Sequence, residues 1–392
     1  MNVLLYQYGS ICEPDIIAGL QELGFHVDTI TDEITDKEIT SKEQLTLVDH
    51  ALQQKDYTFI FTINFFPVIS EICNIYHIPY LSFIVDSPVL ELHSDSIQNS
   101  WNRIFLFDRM LYEEFSPYNP DCIFHLPLAT NTERWDHTIR QASGRERKQF
   151  SSELSFVGSL YTEKCPYYDL HFPSDYLRGY TEGLLNAQKH IYGYYLIDEA
   201  LDAQFVNDLL AVNPDIYQFP EKARHDYKAV ISQFYFGPRI TEMERRELLT
   251  TLGRRFPVHL YSASDASDLP VHAHGTVNTH TQMPLIFHHS QINLNITAKS
   301  IRSGLSLRIW DILGCQGFLI SNYQSEIPDY FTPDEDLVMY SSKEELLELT
   351  SYYLAHPEKC REIAKNAYEK IKQYHTYPVR LSQMIELAFF QN

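Results

Sequence analysis

Short apolar runs of strand length alternate with helical patterns along most of the chain. The opening run Val3–Tyr8 passes through a Gly9–Ser10 turn into helical spacing over 14–23, which Gly24 ends, and His26–Ile30 reads as the next strand. A polar helix is predicted over 41–54. The strands TFIFTIN (58–64), PYLSFIVDSP, RIFLFD (103–108) and CIFHLPLA (122–129) follow, with a helix over 68–76. This βαβ rhythm predicts a Rossmann-like domain on a parallel sheet. The stretch 138–152 is polar and charged and reads as a linker or exposed loop. A second series begins with ELSFVGSLY (153–161). Residues 162–237 show no clear strand run and read as an aromatic-rich, largely helical insert. An amphipathic helix over 241–256 carries Met243, Leu248, Leu249 and Leu252, and VHLYS (258–262) is the next strand. INLNI, a helix with Leu305, Ile309, Ile312 and Leu313, and the strand FLIS come next, with Gly317 as the helix stop. Ser342 and Glu345 fit a capping box for a helix over 343–355. A striped helix with Cys360, Ile363, Ala367 and Ile371 and a last apolar helix end the chain. The domains expected are 1–135 and 153–375, joined by 136–152, with the insert over about 162–240 and a terminal helix in 376–392.

Candidate chemistry concentrates between Gln291 and Phe331. A polar, basic turn with Lys299, Arg302, Ser303 and Gly304 separates INLNI from its helix. In a strand–loop–helix unit that turn lies at the carboxyl edge of the sheet, where backbone N–H groups and the helix dipole favour an anion such as a diphosphate. Asn295 and Leu305 flank it. Arg308 and Asp311 are three apart on the helix and share a face. One suits a phosphate and the other ribose hydroxyls, although they fit a local ion pair equally well. Gly158–Ser159 ends the first strand of the second series, where glycine lets a backbone approach a phosphate; an ordinary tight turn is the alternative. In the first series Asn64, Asp86 and Asp108 end strands, where an open α/β sheet binds ligands. Asp86 and Asp108 suit an acceptor or a general base, or else cap the next element. His125 is a candidate base or a structural histidine. No GxGxxG is present, so no dinucleotide cofactor is expected. His272, His274, His280, His288 and His289 cluster in sequence without an HExxH or a Cys/His pairing, and no metal is expected.

Charge narrows the partners. The 392 residues carry 31 basic and 52 acidic side chains, a net charge of −21, which argues against nucleic acid and anionic membranes and requires a local basic cluster for any phosphate. No run of 18 apolar residues predicts a membrane span. The N-terminus has neither a basic n-region nor a cleavage site. Six scattered cysteines suit a reducing cytosol, so the expected location is cytoplasmic.

The segment LRIWDILGCQGFLIS (307–321) resembles the donor-site segment of GT-B glycosyltransferases, closest to the spore-maturation-protein-like (CgeB-type) branch and its phrase LRxxExxxCGxFLLT. LPLATNTERW (126–135) is similar to the interdomain phrase LPxGVDxxxF of GT-B enzymes. The resemblance implies two Rossmann-like domains facing across a cleft, with a terminal helix crossing back. It implies a metal-independent transfer from a nucleotide sugar, UDP-linked, held by the C-terminal domain. The acceptor, a protein or surface glycan, would sit on the N-terminal domain. The donor would meet Gly158, Ser159, Asn295, Lys299, Arg302 and Ser303, together with Gly304, Leu305, Arg308 and Asp311. Asp86, His125 and Arg308 are the catalytic candidates. Asp311 stands where the family commonly has its ribose-binding Glu. Ser303 stands where a second Glu contacts the donor sugar in the wider retaining clan, which leaves the sugar and the stereochemistry open. Cys315-Gln316-Gly317 is one residue longer than the family's Cys-Gly step. Two rivals stand beside transfer: a non-catalytic binding protein and an epimerase on the same architecture.

Overall fold

The computed structural model describes residues 1–220 and 222–390. Residues 391 and 392 of the expected terminal segment, and Glu221 of the insert, lie outside them. Two compact units are present. The first comprises Met1–Thr130, Phe219–His225 and the chain from Tyr374 onward; the second comprises Asn131–Gln218 and Asp226–Gln373.

The strands are β1 (Asn2–Tyr6), β2 (His26–Ile30), β3 (Phe59–Ile63), β4 (Tyr80–Ile84), β5 (Asn102–Leu106) and β6 (Ile123–His125) in the first unit. The second unit holds β7 (Ser152–Val157), β8 (Val258–Tyr261), β9 (His272–Ala273), β10 (Ser290–Asn295), β11 (Leu319–Asn322) and β12 (Val338–Tyr340). The helices used below are α1 (Glu13–Glu22), α2 (Arg109–Phe115), α3 (Thr132–Gln141), α4 (Gly144–Gln149), α5 (Asp175–Gln188), α6 (Gly237–Gly253), α7 (Met283–His289), α8 (Leu307–Gly314), α9 (Lys343–Ala355), α10 (Pro357–Tyr374) and α11 (Tyr377–Phe389). Each unit has a six-stranded sheet, ordered β2-β1-β3-β4-β5-β6 and β12-β11-β10-β7-β8-β9. The pairings are parallel; Leu294, for example, lies between Ile320 and Phe156.

The apolar pattern explains the layers. FIFTI (β3) and YLSFI (β4) are buried at every position, as expected where both faces of a parallel sheet are covered. β10 is also largely buried, but its side chains alternate between apolar and polar. Ile292 and Leu294 join a core with Leu154, Phe156, Leu260, Ile320 and Val338, closed by Leu248 and Leu252 of α6 and Leu346 of α9. Asn293 and Asn295, two residues apart, therefore face the opposite side of the sheet. There Asn293 Nδ2 donates to the Phe287 carbonyl of α7 at 2.9 Å. The helical insert forms its own core from Leu185, Phe205, Leu209, Ile231, Phe236 and Ile240.

In the first unit α11 packs on α1. A Cβ at Gly19 would lie 2.7 Å from Leu381 Cδ1 and would require that side chain to shift, while the backbone of α11 would stay at ordinary contact distance. Arg103 Nε donates to the Ala388 carbonyl at 2.9 Å. Phe219–His225, expected as part of the insert, belongs to this unit: Arg224 N–H donates to the His93 carbonyl at 2.8 Å and its guanidinium covers the Tyr118 ring at 4.0 Å.

Three local expectations are corrected. The polar stretch 138–152 is helical rather than a loop, because its starts are capped. Asn131 accepts from Arg134 N–H at 3.0 Å, and Ser143 forms a reciprocal box with Glu146. The helix before FLIS ends at Gly314, and the left-handed residue after it is Gln316 (φ 57), not Gly317. Gly317 is needed for a different reason: a Cβ would sit 2.7 Å from the Phe287 carbonyl. At α9 Ser342 caps the Glu345 N–H at 3.1 Å, but the Glu345 carboxylate accepts from Ser341 N–H at 2.7 Å, so the box is only half closed on Ser342.

Candidate functional site

The polar face of the second sheet is built by the alternation in SQINLN. Asn295 Nδ2 donates to Thr297 Oγ1 and to Ser321 Oγ, both at 2.9 Å, and its Oδ1 accepts from Ser306 Oγ at 3.2 Å. Thr297 N–H donates to Asn322 Oδ1 at 2.7 Å. The loop from β10 to α8 is thus tied at both ends to the carboxyl edges of β10 and β11. Asn295 acts as the organiser of that loop.

The basic residues of the loop are already engaged. Lys299 Nζ lies 3.2 Å from Glu244 Oε2 and 4.1 Å from the centre of the Tyr192 ring, and is buried. Arg302 Nη1 lies 3.6 Å from Asp198 Oδ2. Ser303 Oγ is 2.7 Å from Glu326 Oε1, and the Gly304 carbonyl accepts from Gln324 Nε2 at 3.3 Å. Leu305 is core. Lys299, Arg302 and the backbone beside them face the insert across a gap of only about 20 Å³. Lys299 and Arg302 therefore carry charge that carboxylates of the insert and of α6 compensate.

Two guanidinium groups are not compensated in that way. Arg245, on α6, is buried and donates through Nη1 to the Ser159 carbonyl at 2.6 Å and through Nε to the Ile296 carbonyl at 3.0 Å. It lies over Phe156 and Tyr161, 5.4 and 5.0 Å from their ring centres. It thereby clamps the turn after β7 to the end of β10. Arg308, on α8, lies against Met283 Sδ and 5.3 Å from the Phe287 ring centre. By exposed area Arg308 is only half-buried, yet the surrounding protein desolvates its charge. Desolvation pushes the pKa of both below that of a free guanidinium; at Arg245 the nearby Tyr161 and Glu244 oppose this more than repulsion from Arg308 adds to it, and at Arg308 Asp311 opposes it. Among the described residues neither has a carboxylate within ion-pair distance. Asp311 is buried on the same helix and helps to hold the Cys315 thiol far above its ordinary range, after burial itself.

The Gly158–Ser159 turn is pinned. Ser159 Oγ donates to Glu163 Oε1 at 2.8 Å, and Leu160 N–H donates to Ser264 Oγ at 2.7 Å. A Cβ at Gly158 would make ordinary contacts, the nearest at 3.5 Å, so the position does not require glycine. The left-handed residue is Tyr161 (φ 69).

In the first unit the structure joins Asp86 to Asn64 and Tyr8. Asn64, left-handed at φ 57, donates from Nδ2 to Asp86 Oδ2 at 2.7 Å and to Tyr8 Oη at 3.0 Å. Asp86 is exposed. Burial, then the Asp86 charge, raises the Tyr8 phenol well above its ordinary pKa. Asp108 is a buried N-cap, its Oδ1 accepting from Leu111 N–H at 3.1 Å at the start of α2. His125 ends β6, with β5 between it and the Asp86 strand, so about 10 Å separates their chains. Its ring lies 6.1 Å from that of Tyr112. The loop after β1 is filled from within: Glu13 Oε1 accepts from the N–H groups of Tyr8 and Gly9 at 2.9 and 3.1 Å. Of the histidines, His259, His272 and His274 form a stack beside Tyr261. Among the described residues no group of three or more His, Cys, Asp and Glu is arranged to hold a metal.

Residues 241–386 match a family model described as glycosyl transferase-like. A comparison with curated protein sequences gave no match. Solved structures match the fold over nearly the full chain. A sucrose-phosphate synthase from Thermosynechococcus elongatus superposes with a TM-score of 0.58 at 9% identity, covering 99% of this chain and 98% of that one. A UDP-forming α,α-trehalose-phosphate synthase from Burkholderia xenovorans gives 0.55 at 10% identity, over 99% and 98%. Anabaena Alr3699/HepE in complex with UDP-glucose gives 0.53 at 10% identity, over 98% of each. The fold class is GT-B, with two six-stranded parallel sheets and their surrounding helices.

The family match spans Arg245, Asn295, Arg308 and Asp311 but not Gly158, Asp86 or His125. Among the residues that hold this site together, Arg245 was not singled out from the sequence. Its signal was an arginine on the polar face of an otherwise amphipathic helix, whose partners lie 51 and 86 residues away.

Proposed function

We propose that this protein transfers a sugar from a nucleotide-activated donor to an acceptor. One observation carries the proposal. In a chain with a net charge of −21, the buried Arg245 and half-buried Arg308 sit at the carboxyl edge of the second sheet against backbone carbonyls, aromatic rings and Met283, with no carboxylate in ion-pair range among the described residues. Guanidinium groups in a desolvated setting without an ion-paired carboxylate are stabilised by a bound anion. The N-terminus of α8 faces the same loop and favours negative charge. A diphosphate leaving group gains charge as its bond to the sugar breaks, and fixed donors and dipoles of this kind stabilise that charge. Asp311 is the acceptor for the ribose hydroxyls. The glycosyl transferase-like match over 241–386 supports this use of the segment. The Anabaena neighbour's complex with UDP-glucose supports a UDP-linked donor. The motif of residues 307–321 further favours the spore-maturation-protein-like (CgeB-type) branch. The acceptor, a protein or surface glycan, would be met by the Tyr8–Asn64–Asp86 edge of the first unit, with Asp86 as its base. Metal independence is part of the same proposal.

The test is release of UDP from a panel of UDP-sugars. Arg308→Ala should lower release by about 100-fold or more, the scale of losing a charged donor to a developing anion. Asp311→Ala should weaken UDP binding about 10-fold in calorimetry, through loss of one charge-assisted hydrogen bond. Unchanged turnover in Arg308→Ala removes the proposal. The neutralisation of Lys299 and Arg302 by Glu244 and Asp198 favours a second reading, binding of a nucleotide sugar without transfer. UDP binding with no release of UDP over time, with any acceptor offered, would select it.

A further inference from the structure

The far edge of the second sheet carries histidines that no donor chemistry uses. His272 and His274 are two residues apart, so their side chains leave β9 and the chain just after it on one face. His259 of β8 stands in register with His272, and His274 N–H donates to the Leu260 carbonyl at 2.9 Å. Leu260 points into the core with Leu154 and Ile292, so His259 and Tyr261 on either side of it point the other way. The Tyr261 ring is buried, and the His274 ring is stacked on it with centres 4.7 Å apart. β7 lies between β8 and β10, which sets His259 about 10 Å from the strand that leads into the donor loop.

The nitrogens of two of these rings face each other. His274 Nε2 lies 3.0 Å from His259 Nδ1. Two imidazole nitrogens bound to one divalent cation at about 2.1 Å, with an angle of about 90–110° between them, are about 3.0–3.4 Å apart. The pair already stands at that separation. His274 is exposed and His259 half-buried, so solvent reaches the pair. Desolvation and the neighbouring histidines lower the pKa of both rings, which favours the neutral form that ligates. In the metal-free protein one ring donates to the other. With a cation between them the donor ring carries its proton on its other nitrogen, so no proton is gained or lost. Among the described residues no group of three or more His, Cys, Asp and Glu is set to share one ion, so water completes the coordination. Imidazole suits zinc, copper and nickel rather than magnesium or calcium, and a net charge of −21 draws cations to this surface.

We propose that His259 and His274 chelate a divalent transition-metal cation of the zinc class, through Nδ1 and Nε2 respectively. The cation would tie β8 to the chain after β9, an edge strand of only two residues. The site stands independently of sugar transfer, because metal binding is measured without any nucleotide.

Calorimetric titration of the full, chelator-treated chain with zinc chloride at about pH 7.5 tests it. One saturable site with a dissociation constant on the order of 10 µM is expected. His259→Ala and His274→Ala should each weaken that site at least tenfold, whereas His137→Ala, at an exposed position of α3, should leave it unchanged. Affinity should fall at about pH 5.5, where protons compete for the imidazoles. Zinc should raise the melting temperature of the parent and of neither cluster variant. A zinc-soaked crystal of the unaltered chain, which needs no variant to fold, should show anomalous density between the two rings. No zinc binding tighter than about 1 mM overturns the proposal, as does binding that survives both variants, equal loss in His137→Ala, or anomalous density only elsewhere on the chain.

Discussion

The carboxyl edges of the two sheets are organised in opposite ways. In the first unit Tyr8, Asn64 and Asp86 meet at the ends of β1, β3 and β4 through two side-chain hydrogen bonds, and the carboxylate is exposed. In the second unit the corresponding edge is a buried lattice. Asn295 is bonded to three hydroxyls, Arg245 to two carbonyls from different loops, and Lys299, Arg302 and Ser303 each to an acid. The first edge keeps a charged group in water, where it can change partners at little cost. The second fixes its groups before any ligand arrives, so binding there loses little conformational entropy. A protein that holds one constant ligand and one variable partner would divide its two edges in this way.

The sharpest way to break the contrast is Arg245→Ala. It removes the clamp between Ser159 and Ile296 and leaves two buried carbonyls without their charged donor. The expected loss is about 3–5 kcal/mol of stability, the scale found when one partner of a buried charged network is removed. Urea denaturation followed by tryptophan fluorescence, to which Trp135 and Trp310 of the second unit contribute beside Trp101 of the first, should show the loss. Arg245→Lys keeps the charge but not the fork, and should recover only part of it. A midpoint unchanged in Arg245→Ala would mean the lattice does not depend on the clamp.

That arginine also marks the limit of what the sequence discloses. Local patterns were legible: HVDTI, the helix over 41–54, the INLNI strand and the helix over 343–355 all depend on neighbours within a few residues. The turn before α8 was legible as polar and basic, but not as neutralised. Glu244 lies 55 residues before Lys299 and Asp198 lies 104 before Arg302, on an insert whose packing no periodicity reveals. Arg245 was not singled out because only the apolar stripe of its helix was legible; the loops that bury its polar face come from β7 and β10. Helices α3 and α4 were missed for the reverse reason. Their stability lies in caps rather than in an apolar face, so their polarity read as a loop.

The half-buried His375 of the first unit should mark its response to acid more strongly than the second unit's His259, His274 and His289, whose pKa values desolvation also lowers. His375 is desolvated, and Arg380 donates to its Nδ1 at 2.9 Å, so its pKa falls to about 3. In the unfolded chain it returns to about 6.5. The folded state then binds fewer protons than the unfolded state between these values. Stability is present above pH of about 6.5 and is lost as pH falls toward about 3, by at most about 1.4 kcal/mol per pH unit. Denaturation midpoints of His375→Gln and the parent, compared from neutral pH downward, isolate this residue from the carboxylates. The variant's slope should be shallower. Parallel slopes would assign the acid sensitivity elsewhere.

The smallest effect on stability, and the most telling for the contrast, belongs to Asp86. It is exposed, and Asn64, which donates to its carboxylate, keeps its other bonds to Tyr8, Val85 N–H and Asp86 N–H if the carboxylate is lost. Asp86→Asn should therefore move stability by no more than about 0.5 kcal/mol. If Asp86 is the base that takes a proton from the acceptor hydroxyl, the same change should lower transfer by about 100-fold or more while UDP affinity stays as it was. Removing that charge should also ease deprotonation of Tyr8, since the nearby carboxylate is, after burial, the largest cause raising its pKa. A variant with full transfer activity would show that the open edge of the first unit positions the acceptor without taking its proton. A variant that unfolds would show that the edge is not open at all, and the division between a fixed and an adaptable sheet edge would have to be abandoned.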